Sequence, residues 1–282
     1  MDNALHSLTP IAPAEPATAW IGGKRHLAQR ICGLLAATPH DAYAEPFVGM
    51  GGVFLRRTLR PRVEVINDVS GDVVNLYRIL QRHPRALLAE LRWRPAMRAE
   101  FDRLKGARPQ DLTDIERAAR FLYLQKLAYA GKVQGRTFGV DPSQAHVFSL
   151  PRLAPRLERL HDRLAEVVIE NLDWADFLPR YDRPGTLFYL DPPYWGSESD
   201  YGSGLFGRDF ERLAAALAEL EGRFLLSIND VAEIRALFAW AEILEVETRY
   251  SIGEANPTNA VRELLISRGV SLTPAARERR LL

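Results

Sequence analysis

The stretch AYAEPFVGMGGVF, residues 42–54, decides the fold. AYAEPFVG (42–49) reads as a buried strand, Gly49, Gly51 and Gly52 as a turn, and GVFLRRTL (52–59) as the helix behind it. VEVIND (63–68) is a second apolar strand. Ser70 is placed to cap the next helix, where Val73, Leu76, Tyr77 and Leu80 recur at helical spacing. Upstream, GGKRHLAQRICGLLAAT (22–38) predicts a helix that stops before Pro39. Apolar strands alternating with helices point to an α/β protein with a parallel sheet.

Further along, the pattern breaks. Residues 81 to about 165 are helix-rich, with few strand signals. Thr113 and Glu116 have capping-box spacing, and Gly131 is a natural stop for that helix. GKVQGRTFGVD (131–141) reads as a loop or short hairpin. Strand signals resume at VVIENL (167–172), LFYLD (187–191), FLLSIND (224–230), ILEVETRYSI (243–252) and ELLIS (263–267). An amphipathic helix carrying Phe210, Leu213, Leu217 and Leu220 lies among them, with Asp209 as its cap and Gly222 as its stop. No helix pattern separates the last two strands, so they are expected as an antiparallel pair at one edge. The plan is a loose tail (1–17), an α/β body (18–82 and 166–269), an inserted helical domain (83–165) and a C-terminal tail (270–282).

Composition sets the outer limits. The chain has 282 residues, 47% hydrophobic and 26% charged, an ordinary globular balance. No apolar run is long enough to span a bilayer, and the start lacks a basic segment followed by an apolar one. The single cysteine, Cys32, excludes an internal disulfide framework and fits a reducing cytoplasm. Six histidines, His26, His83, His146 and His161 among them, show no metal-ligand spacing, so no metal is expected. The net charge is +1, but residues 82–136 hold 13 Lys and Arg against 6 Asp and Glu, leaving 24 against 30 for the rest. A basic block on a slightly acidic body suits phosphate contacts, or is simply a solvated arginine-rich face.

Two segments carry chemistry. Glycines between a strand and a helix let backbone approach a ligand; they also serve any tight turn. Asp68 tips the balance. It lies 19 residues after Gly49 at the end of the next strand, where an acid can accept hydrogen bonds from ribose hydroxyls. Asp68 thus favours a nucleoside-type cofactor, and with G-x-G-G spacing and Phe54 where a third small residue would stand, that cofactor need not contain a pyrophosphate. The second segment is LFYLDPPYWG (187–196). Asp191 sits at the carboxyl end of a strand, where open α/β sheets bind ligands. Proline has no N–H, so Pro192 offers only its carbonyl beside the Asp191 carboxylate. Two rigid acceptors suit an amine with two hydrogens, and Tyr194 adds a face on which a base can stack. The bland alternative is an Asp-Pro-Pro turn with Tyr194 in the core.

WIGGK (20–24), EPFVGMGG, IND (66–68), DPPY, FLLSIND and the closing YSIG…VRELLIS occur in the order seen in Dam-type DNA adenine methyltransferases. From about Trp20 to Ser267 the chain resembles that family, most of all its compact phage and prophage branch; the likeness is weakest over 85–165. The resemblance implies a Rossmann-like methyltransferase sheet, S-adenosylmethionine as donor, a flipped adenine amine in double-stranded DNA as acceptor, and a cytoplasmic setting in a bacterium or an infected host. It leaves room for a cognate restriction endonuclease. By position it assigns Trp20, Lys24, Glu45, Phe47, Gly49, Gly51, Asp68 and Asp191 to the cofactor. Asp191, Pro192, Pro193 and Tyr194 fall on the catalytic motif, with Trp195 beside Tyr194 to receive the base. The basic insert falls on the target-recognition domain, but 131–141 departs from the hairpin of GATC-specific members, so the target sequence stays open.

Other residues complete the expectation. Lys132, Gln134 and Arg136 are the candidates for reading DNA, ahead of Arg98, Arg103 and Lys105. Asn229 and Asp230 read as a helix cap, since Asp230 and Glu233 have capping-box spacing. Cys32, inside a helix, reads as a small buried hydrophobe, which argues against cytosine C5 chemistry by a cysteine nucleophile. Three rival readings remain. They are methylation of the cytosine exocyclic amine, a nicotinamide-dependent oxidoreductase, which would leave DPPY unexplained, and a silent DNA-binding relative.

Overall fold

The structure is a computed structural model and describes residues 8–20, 24, 27–128, 135–139, 148–196, 207–249 and 260–273. In chain order the elements are β1 (Thr9–Pro10), α1 (Ala28–Ala37), β2 (Ala42–Glu45), β3 (Leu59–Arg60), β4 (Val63–Asn67), α2 (Gly71–Arg82), α3 (Pro84–Arg92), α4 (Arg98–Gly106), α5 (Asp114–Leu127) and α6 (Leu150–Leu164). Then follow β5 (Val168–Glu170), α7 (Trp174–Tyr181), β6 (Thr186–Leu190), α8 (Gly207–Glu219), β7 (Arg223–Asn229), α9 (Ala232–Leu237), β8 (Glu242–Arg249) and β9 (Ala260–Arg268). Seven strands form one sheet in the order β5-β4-β2-β6-β7-β9-β8. The first five run parallel; β9 is antiparallel to both β7 and β8. The edge pair expected from the last two strand signals is present.

Side chains alternate across this sheet as a strand's period of two requires. Tyr43, Ile66, Leu187, Tyr189, Leu225 and Leu265 face a core shared with α1, α2, α5 and α6. Ala44, Val65, Phe188, Leu190, Leu226 and Ile266 face the other way, onto α7, α8 and α9. Burying each large apolar side chain contributes about 1.5–3 kcal/mol, so the two faces hold the sheet from both sides.

Several expectations give way here. The glycine turn leads into a single 3-10 turn, Phe54–Arg56, and not into an α-helix. The reason lies in residues 8–17, expected to be loose. β1 pairs with β3, Ile11 N–H donates to the Thr58 carbonyl and Ala14 N–H to that of Leu55, while Ala14 and Ala17 are buried. Backbone acceptors that a helix would use internally are therefore taken by the N-terminal segment. The C-terminal boundary also shifts: Val270 and Leu272 are buried, so the core reaches past residue 269.

The helical block packs into the core beneath the sheet. Thr113 closes a complete capping box with Glu116, and α5 packs against α2, α3 and α4. Phe121, Leu122 and Leu157 belong to the same core cluster as Tyr43 and Leu187 of the sheet. Ser70 caps α2 as expected, accepting from Val73 N–H. By contrast α9 has no side-chain cap. Asp230 instead makes a two-pronged ion pair with Arg235, so the charge partner wins over the cap. Among the described residues, no helix is long and apolar enough to cross a membrane, and no cluster of metal ligands occurs.

One buried ionic cluster ties the block to the sheet. Glu64 of β4 accepts from Arg57 at 2.6 Å and from Arg163 of α6 at 2.7 and 2.8 Å. The two guanidiniums also lie over the Tyr43 and Phe54 rings, at 3.7 and 3.9 Å. All three charged residues are buried.

Candidate active site

β2 is the topological switch point. It pairs with β4 on one side and β6 on the other, and the chain runs outward from it in both directions. Ligands of such sheets bind outside the carboxyl ends of the strands at this point. Glu45 ends β2, Asp68 follows β4, and Asp191 follows β6. Three carboxylates predicted from sequence are thus set side by side by strand register alone.

Loops at these ends are held by specific bonds. Asn67 donates to the Pro46 and Leu172 carbonyls and accepts from Leu172 N–H, joining the exits of β2, β4 and β5. Asp68 accepts from Gly49 N–H at 2.9 Å and from Ser70 N–H at 2.8 Å. Gly49 and Gly51 have φ of +49° and +73°, where side chains are disfavoured. Their closest neighbours are protein groups. A Cβ on Gly49 would lie 2.9 Å from the Trp20 indole nitrogen; one on Gly51 would lie 2.8 Å from Leu55 and 2.9 Å from the Tyr77 hydroxyl. The turn is therefore packed from behind by Trp20, which also contacts Phe121. Phe47 is half-buried against the opposite core face.

At Asp191 the contacts are ionic. Lys24 Nζ lies 2.9 Å from Asp191 Oδ1 and 3.3 Å from Glu263 Oε2, and donates to the Tyr194 hydroxyl at 2.7 Å. Tyr194 donates in turn to Glu263 Oε1 at 2.6 Å. Ser227 donates to Asp191 Oδ1 at 3.3 Å and pairs with the Tyr189 hydroxyl at 2.8 Å. Asp191 Oδ1 is thereby occupied twice, whereas Oδ2 takes no hydrogen bond from the described residues. Asn229 grips the Trp195 backbone at both ends, accepting from its N–H at 3.0 Å and donating to its carbonyl at 3.1 Å. Asn229 thus orders the DPPYW loop and caps nothing.

Burial sets the electrostatics. It pushes Asp191 up to about 6, against the opposing pull of Lys24. It pushes Asp68 to about 6, against the hydrogen bonds from Ser70 and Gly49, and Glu45 to about 8, against the bond from Tyr43. Burial would depress Lys24, but Asp191 and Glu263 outweigh it and hold the ammonium above the ordinary lysine range. The Tyr77 hydroxyl is buried without a hydrogen-bond partner among the described residues, and it feels both Glu45 and Asp68. An orphaned hydroxyl and three raised carboxylates at one switch point fit a polar, cationic ligand such as a sulfonium nucleoside.

The structure therefore brings together Trp20, Lys24, Glu45, Gly49, Gly51, Asp68, Asp191, Pro192 and Tyr194, with Pro193 in the same loop. Tyr194 differs from expectation in one respect: Lys24 Nζ sits 4.5 Å from its ring centroid, so that face carries an ammonium. Trp195 packs on Phe210 at 5.3 Å. Lys132 and Gln134 lie outside the described residues. Arg136 donates to Gln125 at 3.0 Å and stacks over Phe121; burial lowers it to about 10. Cys32 is half-buried, with burial raising its thiol to about 11, consistent with a packing role. Sequence reasoning missed Ser227, Tyr189 and above all Glu263. Its signal was a lone acid inside the apolar run VRELLIS.

The chain is similar in sequence to named methyltransferases. A type II methyltransferase, M1.LlaDCHI of Lactococcus lactis subsp. cremoris, is 28% identical over 64% of this chain and 65% of its own length. The type II methyltransferase M.CviBI of Paramecium bursaria Chlorella virus NC1A is 24% identical over 84% of this chain and 91% of its own. A DNA adenine methylase of Haemophilus influenzae is 25% identical over 91% and 93%. Among solved structures, the rRNA methyltransferase aviRa of Streptomyces viridochromogenes aligns with 93% of this chain and 88% of its own at a TM-score of 0.36 and 18% identity, too distant to add to the topology. The D12 class N6 adenine-specific DNA methyltransferase family matches residues 20–252, most of the chain and every site residue named above except Glu263. The chain belongs to the D12 class of N6 adenine-specific DNA methyltransferases.

Proposed function

We propose that Asp191 and the Pro192 carbonyl hold the 6-amino group of an adenine flipped from double-stranded DNA, next to a cofactor pocket built by Glu45, Asp68 and the glycine turn. The observation that carries this reading is the state of Asp191: Oδ1 is tied to Lys24 and Ser227, and Oδ2 faces no protein donor among the described residues. The amine's lone pair is delocalised into the purine, so it is a poor nucleophile. Two acceptors at its hydrogens favour a pyramidal nitrogen as the new bond forms, and Asp191 would take the proton released afterwards. Most of the rate would come from positioning and preorganised charge.

Bound S-adenosylmethionine supplies an electrophilic methyl group. Asp68 would hold its ribose and Glu45, with Trp20 behind the turn, its charged end; Phe47 lies beside them. The target base must leave the duplex stack to reach Asp191. Tyr194, steadied by Lys24 and Glu263, and Trp195, held by Asn229, form the wall that would receive it. The basic residues of the helical block, with Lys132, Gln134 and Arg136, would carry the phosphate and base contacts. The type II names of two relatives fit a restriction-modification setting with a cognate endonuclease.

The experiment is nucleoside mass spectrometry on duplex DNA incubated with protein and S-adenosylmethionine. N6-methyladenine is the expected product. N4-methylcytosine alone would assign the other exocyclic amine, and DNA binding with no methyl transfer would make this a silent relative.

A further inference from the structure

We propose that Glu263 is a positioning residue for methyl transfer: it shares the Lys24 ammonium with Asp191 and so keeps one Asp191 oxygen available to the target amine. This rests on the reading of Asp191 given above. Glu263 is fully buried on β9, directly across the strand pair from Asn229 of β7. These two cross-strand partners hold consecutive residues of the catalytic loop, Glu263 by the Tyr194 hydroxyl and Asn229 by the Trp195 backbone. The end of the β7–β9 pair is thus the template for the DPPYW loop.

A charge is not needed merely to accept a bond from Tyr194; an amide oxygen would do. The negative charge matters for Lys24. Its ammonium lies between two carboxylates, at 2.9 and 3.3 Å, with side-chain exposures of 1% for Lys24 and Glu263 and 22% for Asp191. In Glu263→Gln the buried ammonium would be left with Asp191 as its one carboxylate among the described residues. It would draw that carboxylate toward itself and weaken it as an acceptor. Asp191 is faced by Lys24, by Ser227 on the neighbouring strand β7, by Tyr189 on β6, the strand it follows, and by the acids Glu263 and Glu45.

The test compares Glu263→Gln, Glu263→Asp and Lys24→Gln with the wild type, in single-turnover methyl transfer to duplex DNA across pH 5–8. In Glu263→Gln the rate should fall about 10-fold with the cofactor KM changed less than about 3-fold, and the acid limb should move down by roughly half a pH unit. Glu263→Asp should return the limb toward wild type. Lys24→Gln should move it up, the opposite sign, and this keeps the idea testable should Glu263→Gln not fold. An unchanged rate and limb in Glu263→Gln overturns the inference, as does a lost rate with an unmoved limb, which marks a structural role only. Those outcomes leave the Asp191 reading standing; a wild type that transfers no methyl group to adenine overturns both.

Discussion

Lys24 Nζ and Asp191 Oδ1 stand 2.9 Å apart, although one residue precedes the sheet and the other follows its fourth strand in chain order. The lysine is almost fully buried and the acid is not. An ammonium with so little water around it stays only where carboxylates compensate it, and here it anchors Oδ1 of the acid, while Oδ2 takes no hydrogen bond from the described residues. Among the described residues, the central site is therefore an ion pair that engages one oxygen of the acid.

Activity should follow the ionisation of Asp191. Burial raises its carboxyl to about 6, with Lys24 pulling the other way. In the proposed role, the carboxylate accepts from the amine above that pH, and below it the proton occupies the acceptor. The single-turnover rate should fall as pH drops through about 6, roughly tenfold per unit below it. A rate flat from pH 7 to pH 5 would show that Asp191 is not the titrating acceptor.

Asp68 offers two oxygens to two backbone donors, Gly49 and Ser70. Asn offers one. Asp68→Asn should loosen the glycine turn and remove the ribose acceptor together, weakening S-adenosylmethionine binding by about 10-fold or more, equivalent to at least about 1.4 kcal/mol. Titration calorimetry reads this directly.

Glu45 ties function to stability. Its folded pKa is raised to about 8 by burial, far above an unfolded glutamate. The native state then holds the extra proton between roughly pH 4.3 and 8, so this group's contribution to stability falls as pH rises through that window. Glu45→Gln keeps an acceptor for the Tyr43 hydroxyl and removes the buried charge. It should raise Tm by about 2–6 °C at pH 8.5 and by less at pH 5, while weakening cofactor binding. Thermal melts at the two pH values check the sign.

Glu64 neutralises two buried arginines, Arg57 and Arg163. Glu64→Ala leaves both charges without their carboxylate and should cost roughly 3–5 kcal/mol. Urea unfolding measures it; a loss below about 1 kcal/mol would mean that the cluster is solvated.

Much of the sheet was legible because strand and helix periods differ and the apolar runs are bounded by Gly, Pro and Asp. Val63–Asn67, Thr186–Leu190 and Arg223–Asn229 match the segments read from sequence to within two residues. The same strand signals, VEVIND and LFYLD, located Asp68 and Asp191 at strand ends. What stayed hidden was long-range. Phe54–Arg56 fails to extend as a helix because residues 11–14, some forty positions away, take its backbone acceptors. Gly51 reads as room for a ligand until Leu55 and Tyr77 are seen filling the space. Glu263 looks like an edge-strand acid until β9 is inserted between β7 and β8, which turns it inward to Lys24 and Tyr194.

One comparison bears most directly on Asp191: wild type against Asp191→Asn, with methyl transfer to duplex adenine measured in single turnover and DNA affinity by fluorescence anisotropy. The amide keeps size and packing but loses the anionic acceptor. The expected result is a rate lowered at least about 1,000-fold, near 4 kcal/mol of transition-state stabilisation, with DNA affinity within about threefold. Transfer by Asp191→Asn at close to the wild-type rate would contradict the role given to that carboxylate.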